Sequence, residues 1–194
     1  MKIHLLSAAC LFTILLLVSL VWLKNKNDAP AFPEEFTFNN LVEYKNGDVC
    51  QDSNYTSDFI ACYNIKYYEV LGTSKSEIIR QLYTEGPVPN WGSATTELKG
   101  KEDSDCSIAV KTVISLPKHK SLGKLSADLK HDWQAMINAL TMHEINHHKI
   151  ATKVAWDEFR DGCPNVSKAI EKFNDLNKAY DRETLNGYYE GVKF

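Results

Sequence analysis

The rhythm of apolar and polar positions changes along the chain, and each change predicts an element. Residues Ile3 to Leu23 are apolar almost without interruption, broken only by His4 and by small or weakly polar residues. As a helix at 1.5 Å per residue this run reaches about 31 Å, enough to cross a bilayer core. It is longer than the apolar region of a typical cleaved signal, and the A-x-A-like tripeptide Ala29-Pro30-Ala31 lies beyond Lys24, Lys26 and Asp28. The expectation is therefore a signal anchor or transmembrane segment over residues 1–23, with a cleaved, secreted form as the alternative. Residues 24–35, with Asp28, Pro30 and Pro33, read as a linker.

Residues 36–194 carry the signals of a folded domain. Candidate strands run from Phe36 to Tyr44 and from Tyr63 to Val70, with turn signals at Asn46-Gly47-Asp48 and Asp52-Ser53-Asn54 between them. A helix is predicted over Lys75 to Thr84: Ser74 is its cap, Glu77 completes a capping box, and Gly86-Pro87-Val88-Pro89 stops it. Two further strands are expected near Ala94 to Lys99 and Cys106 to Leu116. In the second, Ile108, Val110, Thr112 and Ile114 alternate with Ala109, Lys111, Val113 and Ser115, the period of a half-buried strand. Pro117 to Gly123 reads as a loop.

The period then lengthens. Leu129, Trp133, Met136 and Leu140 recur at helical spacing, which predicts a long helix from Ala127 to Arg160 behind a Ser126 cap. Gly162-Cys163-Pro164 breaks it, and Pro164 suits the first turn of a second helix reaching Asp181. Strands first and helices last give an α+β domain: a small antiparallel or mixed sheet, then a long helix and a C-terminal helix.

Composition adds limits. With 44% apolar and 24% charged residues the chain can bury a core, and a formal charge of −3 gives no electrostatic reason to expect a nucleic-acid partner. Outside the first segment there are four cysteines, Cys50, Cys62, Cys106 and Cys163. Their spacing favours Cys50 with Cys62 as a local loop and Cys106 with Cys163 as a tie from strand to helix end, which implies an oxidising compartment. With the anchor, that favours a domain of the cell envelope, in the periplasm or outside the cell. Lys2 on one side of the segment and Lys24 and Lys26 on the other leave its orientation open, and four reduced, buried thiols on the cytosolic side are the competing reading. The absence of a C-x-x-C spacing argues against a second zinc site built from these thiols.

Candidate chemistry sits within the long helix. His143-Glu144-Ile145-Asn146-His147 is a His-Glu-x-x-His motif on the same stripe as Met136 and Leu140. On a helix His143 and His147 are one turn apart and can converge on one ion, normally Zn²⁺. Neutral imidazoles leave the ion its charge, so it can lower the pKa of a bound water toward about 7 and polarise a carbonyl. Glu144, about 100° round the axis from His143, is placed to act as general base and then as general acid to a leaving amine. The expected reaction is amide hydrolysis on a peptide or protein.

A third ligand is needed. No glycine or proline interrupts the helix between His147 and Arg160, so Glu158 would lie about 16 Å away. Lys153 occupies the position of the third histidine in the extended metzincin pattern. The ligand is therefore expected after the break. If the second helix returns antiparallel about Cys163, Glu183 falls level with His143 and Ala179 level with His147. Asp181, in the middle of that span, is the first choice. Glu183 is second, Glu171 or Asp175 would need a staggered crossing, and a capping role is the competing reading of Asp181.

The order Tyr68-Glu69-Val70-Leu71-Gly72-Thr73-Ser74, Gly86-Pro87, the Cys106 strand, Trp133, the His-Glu-x-x-His helix and the tail Tyr180-Asp181-Arg182-Glu183-Thr184-Leu185-Asn186-Gly187 resembles one bacterial family. It is that of predicted secreted zinc-dependent proteases known as domain of unknown function 922. The resemblance covers about Tyr63 to Gly187 and implies a zincin-like metallopeptidase domain of the cell envelope. It departs at Asn186, where the family's tail commonly carries a histidine and asparagine is a much poorer zinc ligand. The alternative function is a membrane-anchored binding or structural module with a degenerate site.

Overall fold

The period-two segment becomes the strand on which the domain is assembled. In the computed structural model, which describes residues 41–43, 48–51, 58–101 and 106–194, strand β5 (Ser107–His119) lies between β3 (Phe59–Val70) and β4 (Ser93–Lys101). β1 (Leu41–Glu43) and β2 (Asp48–Gln51) complete a five-stranded sheet of order β1-β2-β3-β5-β4. The sheet is mixed: β3 pairs parallel with β5, and the other three pairings are antiparallel. These elements fall in one unit, Phe38–Phe194.

β5 buries Ile108, Val110, Thr112 and Ile114, the alternate positions singled out by the pattern, and also Leu116. It runs past Leu116 to His119, through a proline expected to open a loop. The amide of Lys120 bonds to the carbonyl of Val70, so amides of even-numbered residues face β3 and the nitrogen of Pro117 faces the opposite side. There β4 has already ended, its last pair being Ser93 with Ser115. The missing N–H of proline thus falls where there is no strand to receive it.

Helix α1 (Lys75–Thr84) has the full capping box, with Ser74 Oγ accepting from the Glu77 amide and Glu77 accepting from the Ser74 amide. Helix α2 (Ala127–Arg160) starts at Ser126, whose hydroxyl accepts from the amide of Leu129. Helix α3 spans Val166–Thr184, and its cap is Asn165 rather than a residue before Pro164. The asparagine side chain reaches the amide of Lys168, which makes it the stronger start signal and leaves Pro164 outside the helix.

Two apolar clusters hold the helices to the sheet. Tyr63, Val70, Ile114 and Leu116 pack with Ile78 and Leu82 of α1 and with Trp133, Met136 and Leu140 of α2. Phe59, Ala61, Leu98, Ile108 and Val110 pack with Ile150, Ala151, Val154 and Ala155 of α2 and with Ala169 and Phe173 of α3. Between them runs a polar layer. Thr152 Oγ1 donates to the carbonyl of His148, so it can only accept from His148 Nε2, at 3.4 Å. His148 Nδ1 then accepts from Thr112 Oγ1 at 2.8 Å, and Thr112 from Thr96 at 2.9 Å. Burial, with the field of Lys149, pushes the His148 pKa down to about 4, consistent with this neutral tautomer.

Both expected disulfides are present, Cys50–Cys62 across β2 and β3 and Cys106–Cys163 from the start of β5 to the turn after α2. The expected membrane anchor is withdrawn, and with it the single-pass placement in the cell envelope. Among the described residues no helix is long and apolar enough to cross a membrane, and residues 1–35 lie outside them. The disulfides still fit an oxidising compartment.

Candidate metal centre

The site lies where α2 crosses the polar layer and α3 returns beside it. His143 and His147 are both buried, and their rings stand at 84° to one another with centroids 4.7 Å apart. Their Nε2 atoms are 3.2 Å apart. From α3, Asp181 Oδ1 lies 3.1 Å from His147 Nε2 and 3.4 Å from His143 Nε2. Glu183, Glu171 and Asp175, the other carboxylates weighed from the sequence, are exposed and outside this group. The return of α3 is staggered: the pairs His143/Asp181 and His147/Asn177 are both symmetric about Gly162, not Cys163.

The outer ring nitrogens show which hydrogens the imidazoles carry. His143 Nδ1 donates to Glu190 Oε2 at 2.7 Å, and His147 Nδ1 donates to Asn177 Oδ1 at 2.6 Å. With Nδ1 protonated on both rings, each neutral imidazole directs an Nε2 lone pair into the same gap, facing a carboxylate oxygen. Three electron-rich atoms so close are stable only with positive charge among them, supplied by protons or by a cation. Burial opposes protonation of His143, but its bonds to Asp181 and Glu190 and the field of Glu144 outweigh burial and raise its pKa. Burial likewise works to raise Asp181, yet its bonds to both histidines hold it well below the ordinary carboxylate range.

The donor set also fits a metal. A tetrahedral site with bonds of about 2.0–2.1 Å has ligand–ligand edges of about 3.3 Å. The three observed edges of 3.1, 3.2 and 3.4 Å match one face of such a tetrahedron. His143, His147 and Asp181 could therefore hold a metal ion.

Glu144 sits one residue round the helix, 4% exposed, and burial raises its pKa to about 6 against the pull of the two histidines. Gly92 lets the chain pass close to it: a β-carbon at Gly92 would lie 2.8 Å from Glu144 Oε1 and 2.9 Å from Leu140 Cδ1. These residues open onto a cleft of about 480 Å³. Its apolar lining includes Tyr83, Trp91 and Leu140, together with Leu185, Tyr188 and Phe194 of the C-terminal segment. Asn186 also lines the cleft, but it is not in the group that could hold a metal.

The sequence assigns no site role to Asn177, Tyr180 or Glu190. Asn177 follows from the mirror count once its axis is moved to Gly162. Tyr180 stacks on His143 with ring centroids 5.0 Å apart, accepts from Asn146 Nδ2 and donates to Glu190 Oε1. No local signal announces Glu190, because the turn that delivers it depends on three consecutive left-handed residues, Leu185, Asn186 and Gly187.

Residues 65–162 match the family described as Bacterial protein of unknown function (DUF922), and the chain belongs to that family. The match holds His143, Glu144 and His147 and ends before Asn177, Asp181 and Glu190. No curated protein and no solved structure matches the chain.

Proposed function

We propose that this chain is a zinc-dependent peptidase that hydrolyses amide bonds. The observation that carries the reading is the triangle of His143 Nε2, His147 Nε2 and Asp181 Oδ1 beside a buried carboxylate in an open cleft. Two imidazoles and one carboxylate make a donor set suited to Zn²⁺, and three protein ligands leave a fourth position for the reaction. When bound, zinc lowers the pKa of water toward about 7 and polarises a carbonyl.

The chain's own residues supply the rest. Glu144, buried in the helix yet lining the cleft, is placed to take a proton from the attacking water. It then returns that proton to the amine leaving group. Burial keeps bulk water from competing for the carboxylate. Asn177 and Glu190 hold the two imidazoles by their outer nitrogens.

The test is hydrolysis of a broad peptide library by zinc-loaded protein. Glu144→Gln should keep zinc and lose turnover by at least about a hundredfold, the scale of general-base catalysis. His143→Ala and His147→Ala should lose both. Zinc binding with no Glu144-dependent cleavage would refute the peptidase and leave a binding module.

A further inference from the structure

Both histidines of the centre are held from behind, but by groups of different charge. His147 donates to the neutral amide of Asn177, whereas His143 donates to the carboxylate of Glu190. An amide oxygen fixes the ring's orientation and tautomer. A carboxylate does the same and in addition pushes electron density onto the ring, because a charge-assisted bond is stronger and makes the far nitrogen a better donor.

The Glu190 contact is built rather than incidental. Its second oxygen accepts from the Tyr180 hydroxyl at 2.7 Å, and the Tyr180 ring stacks on His143 at an interplanar angle of 20°. One aromatic residue thus grips both partners of the bond. The backbone arrives by a left-handed turn in which φ is 50° at Leu185, 50° at Asn186 and 82° at Gly187. A β-carbon at Gly187 would lie 3.1 Å from His143 Cγ and 2.6 Å from Val192 Cγ2, so the turn is pressed against the ring. The amide of Val192 closes the hook on the carbonyl of Gly187, and Phe194 meets Trp133 edge to face.

We propose that Glu190 is a positioning residue of the metal centre, holding His143 with Nε2 turned inward and making it the stronger of the two imidazole donors. This rests on the metal-centre reading above. The competing account is that Glu190 merely docks the C-terminal hook, its side chain being 30% exposed. That account predicts lost stability with unchanged metal affinity.

The experiment measures zinc affinity of the full chain by competition with a chromogenic chelator, together with the absorption spectrum of the cobalt-substituted protein. Glu190→Ala should weaken zinc binding about 10–100-fold, the range for loss of such an outer partner, and should shift the cobalt bands. Glu190→Gln should fall between it and wild type, since its carbonyl can accept the Nδ1 hydrogen without supplying charge. Tyr180→Phe should weaken binding in the same direction by less. Glu183→Gln, which removes an exposed carboxylate on the same helix end, should change nothing. If Glu190→Ala fails to fold, the isosteric Glu190→Gln decides. Zinc affinities of both Glu190 variants within twofold of wild type, with unchanged cobalt spectra, would overturn the assignment while leaving the metal centre standing. Failure of wild type itself to bind zinc would overturn both.

Discussion

Removing the Cys106–Cys163 disulfide should cost more stability than removing Cys50–Cys62, and the structure sets both magnitudes. The first bond spans a sequence separation of 57 and ties the start of β5 to the turn after α2. In the chain-entropy treatment, closing a loop of that length removes unfolded-state freedom equivalent to about 4 kcal/mol at 25 °C. The second bond, with a separation of 12, gives about 3 kcal/mol by the same relation. Serine replacement is a clean perturbation, because Cys163 is exposed and Cys106 only half-buried, so no new hydroxyl is stranded in the core. For a domain of this size 4 kcal/mol corresponds to a fall in Tm of roughly 8–16 °C. Urea denaturation of metal-free Cys106→Ser/Cys163→Ser, Cys50→Ser/Cys62→Ser and wild type would measure the order directly. A loss below about 1 kcal/mol for the longer loop, or a larger loss for the shorter one, would refute the loop-entropy reasoning.

Three further outcomes follow from the polar layer and the cleft. Burial raises the folded pKa of Glu144 from 4.5 to about 6, so in metal-free protein its contribution is fully present below pH 4.5 and is lost as pH rises through about 6. Glu144→Gln should therefore become more stable than wild type by about 2 kcal/mol near pH 8, with no such gain at pH 4; equal gains at both would contradict the burial account. Thr112→Val removes the partner of His148 Nδ1 at the centre of the layer and should cost about 1–3 kcal/mol by chemical denaturation, whereas an unchanged midpoint would show the bond to be idle. Gly92→Ala places a methyl group against Glu144 Oε1, so zinc content should hold while peptide cleavage falls at least about tenfold; full activity would mean that Glu144 is not held where it acts.

Features encoded within a few residues were legible in the sequence. The Ser74/Glu77 capping box, the Ser126 cap, the alternation through β5 and the short Cys50–Cys62 loop each depend on local spacing, and the fold follows them; with that loop taken, Cys106 and Cys163 are the pair that remains. Pro117 misled because its tolerance depends on where a different strand stops, a fact of tertiary pairing. His143, Glu144 and His147 are fixed relative to one another by helical geometry alone. Their companions on α3 depend on the axis of the interhelical turn, and a shift of that axis by one residue moves the facing position by two. The mirror count about Cys163 therefore put Asp181 between the two histidine levels but passed over Asn177. Glu190 was beyond reach, since its approach to His143 is set by three left-handed residues of which only Gly187 is a glycine.

The measurement that bears most directly on the central claim is the metal content of the purified protein after zinc-replete expression, set beside the three ligand substitutions. The account predicts about one zinc per chain in wild type and in Glu144→Gln, and loss of zinc in His143→Ala, His147→Ala and Asp181→Ala. Wild-type protein without zinc, or zinc retained after both histidine substitutions, would contradict it.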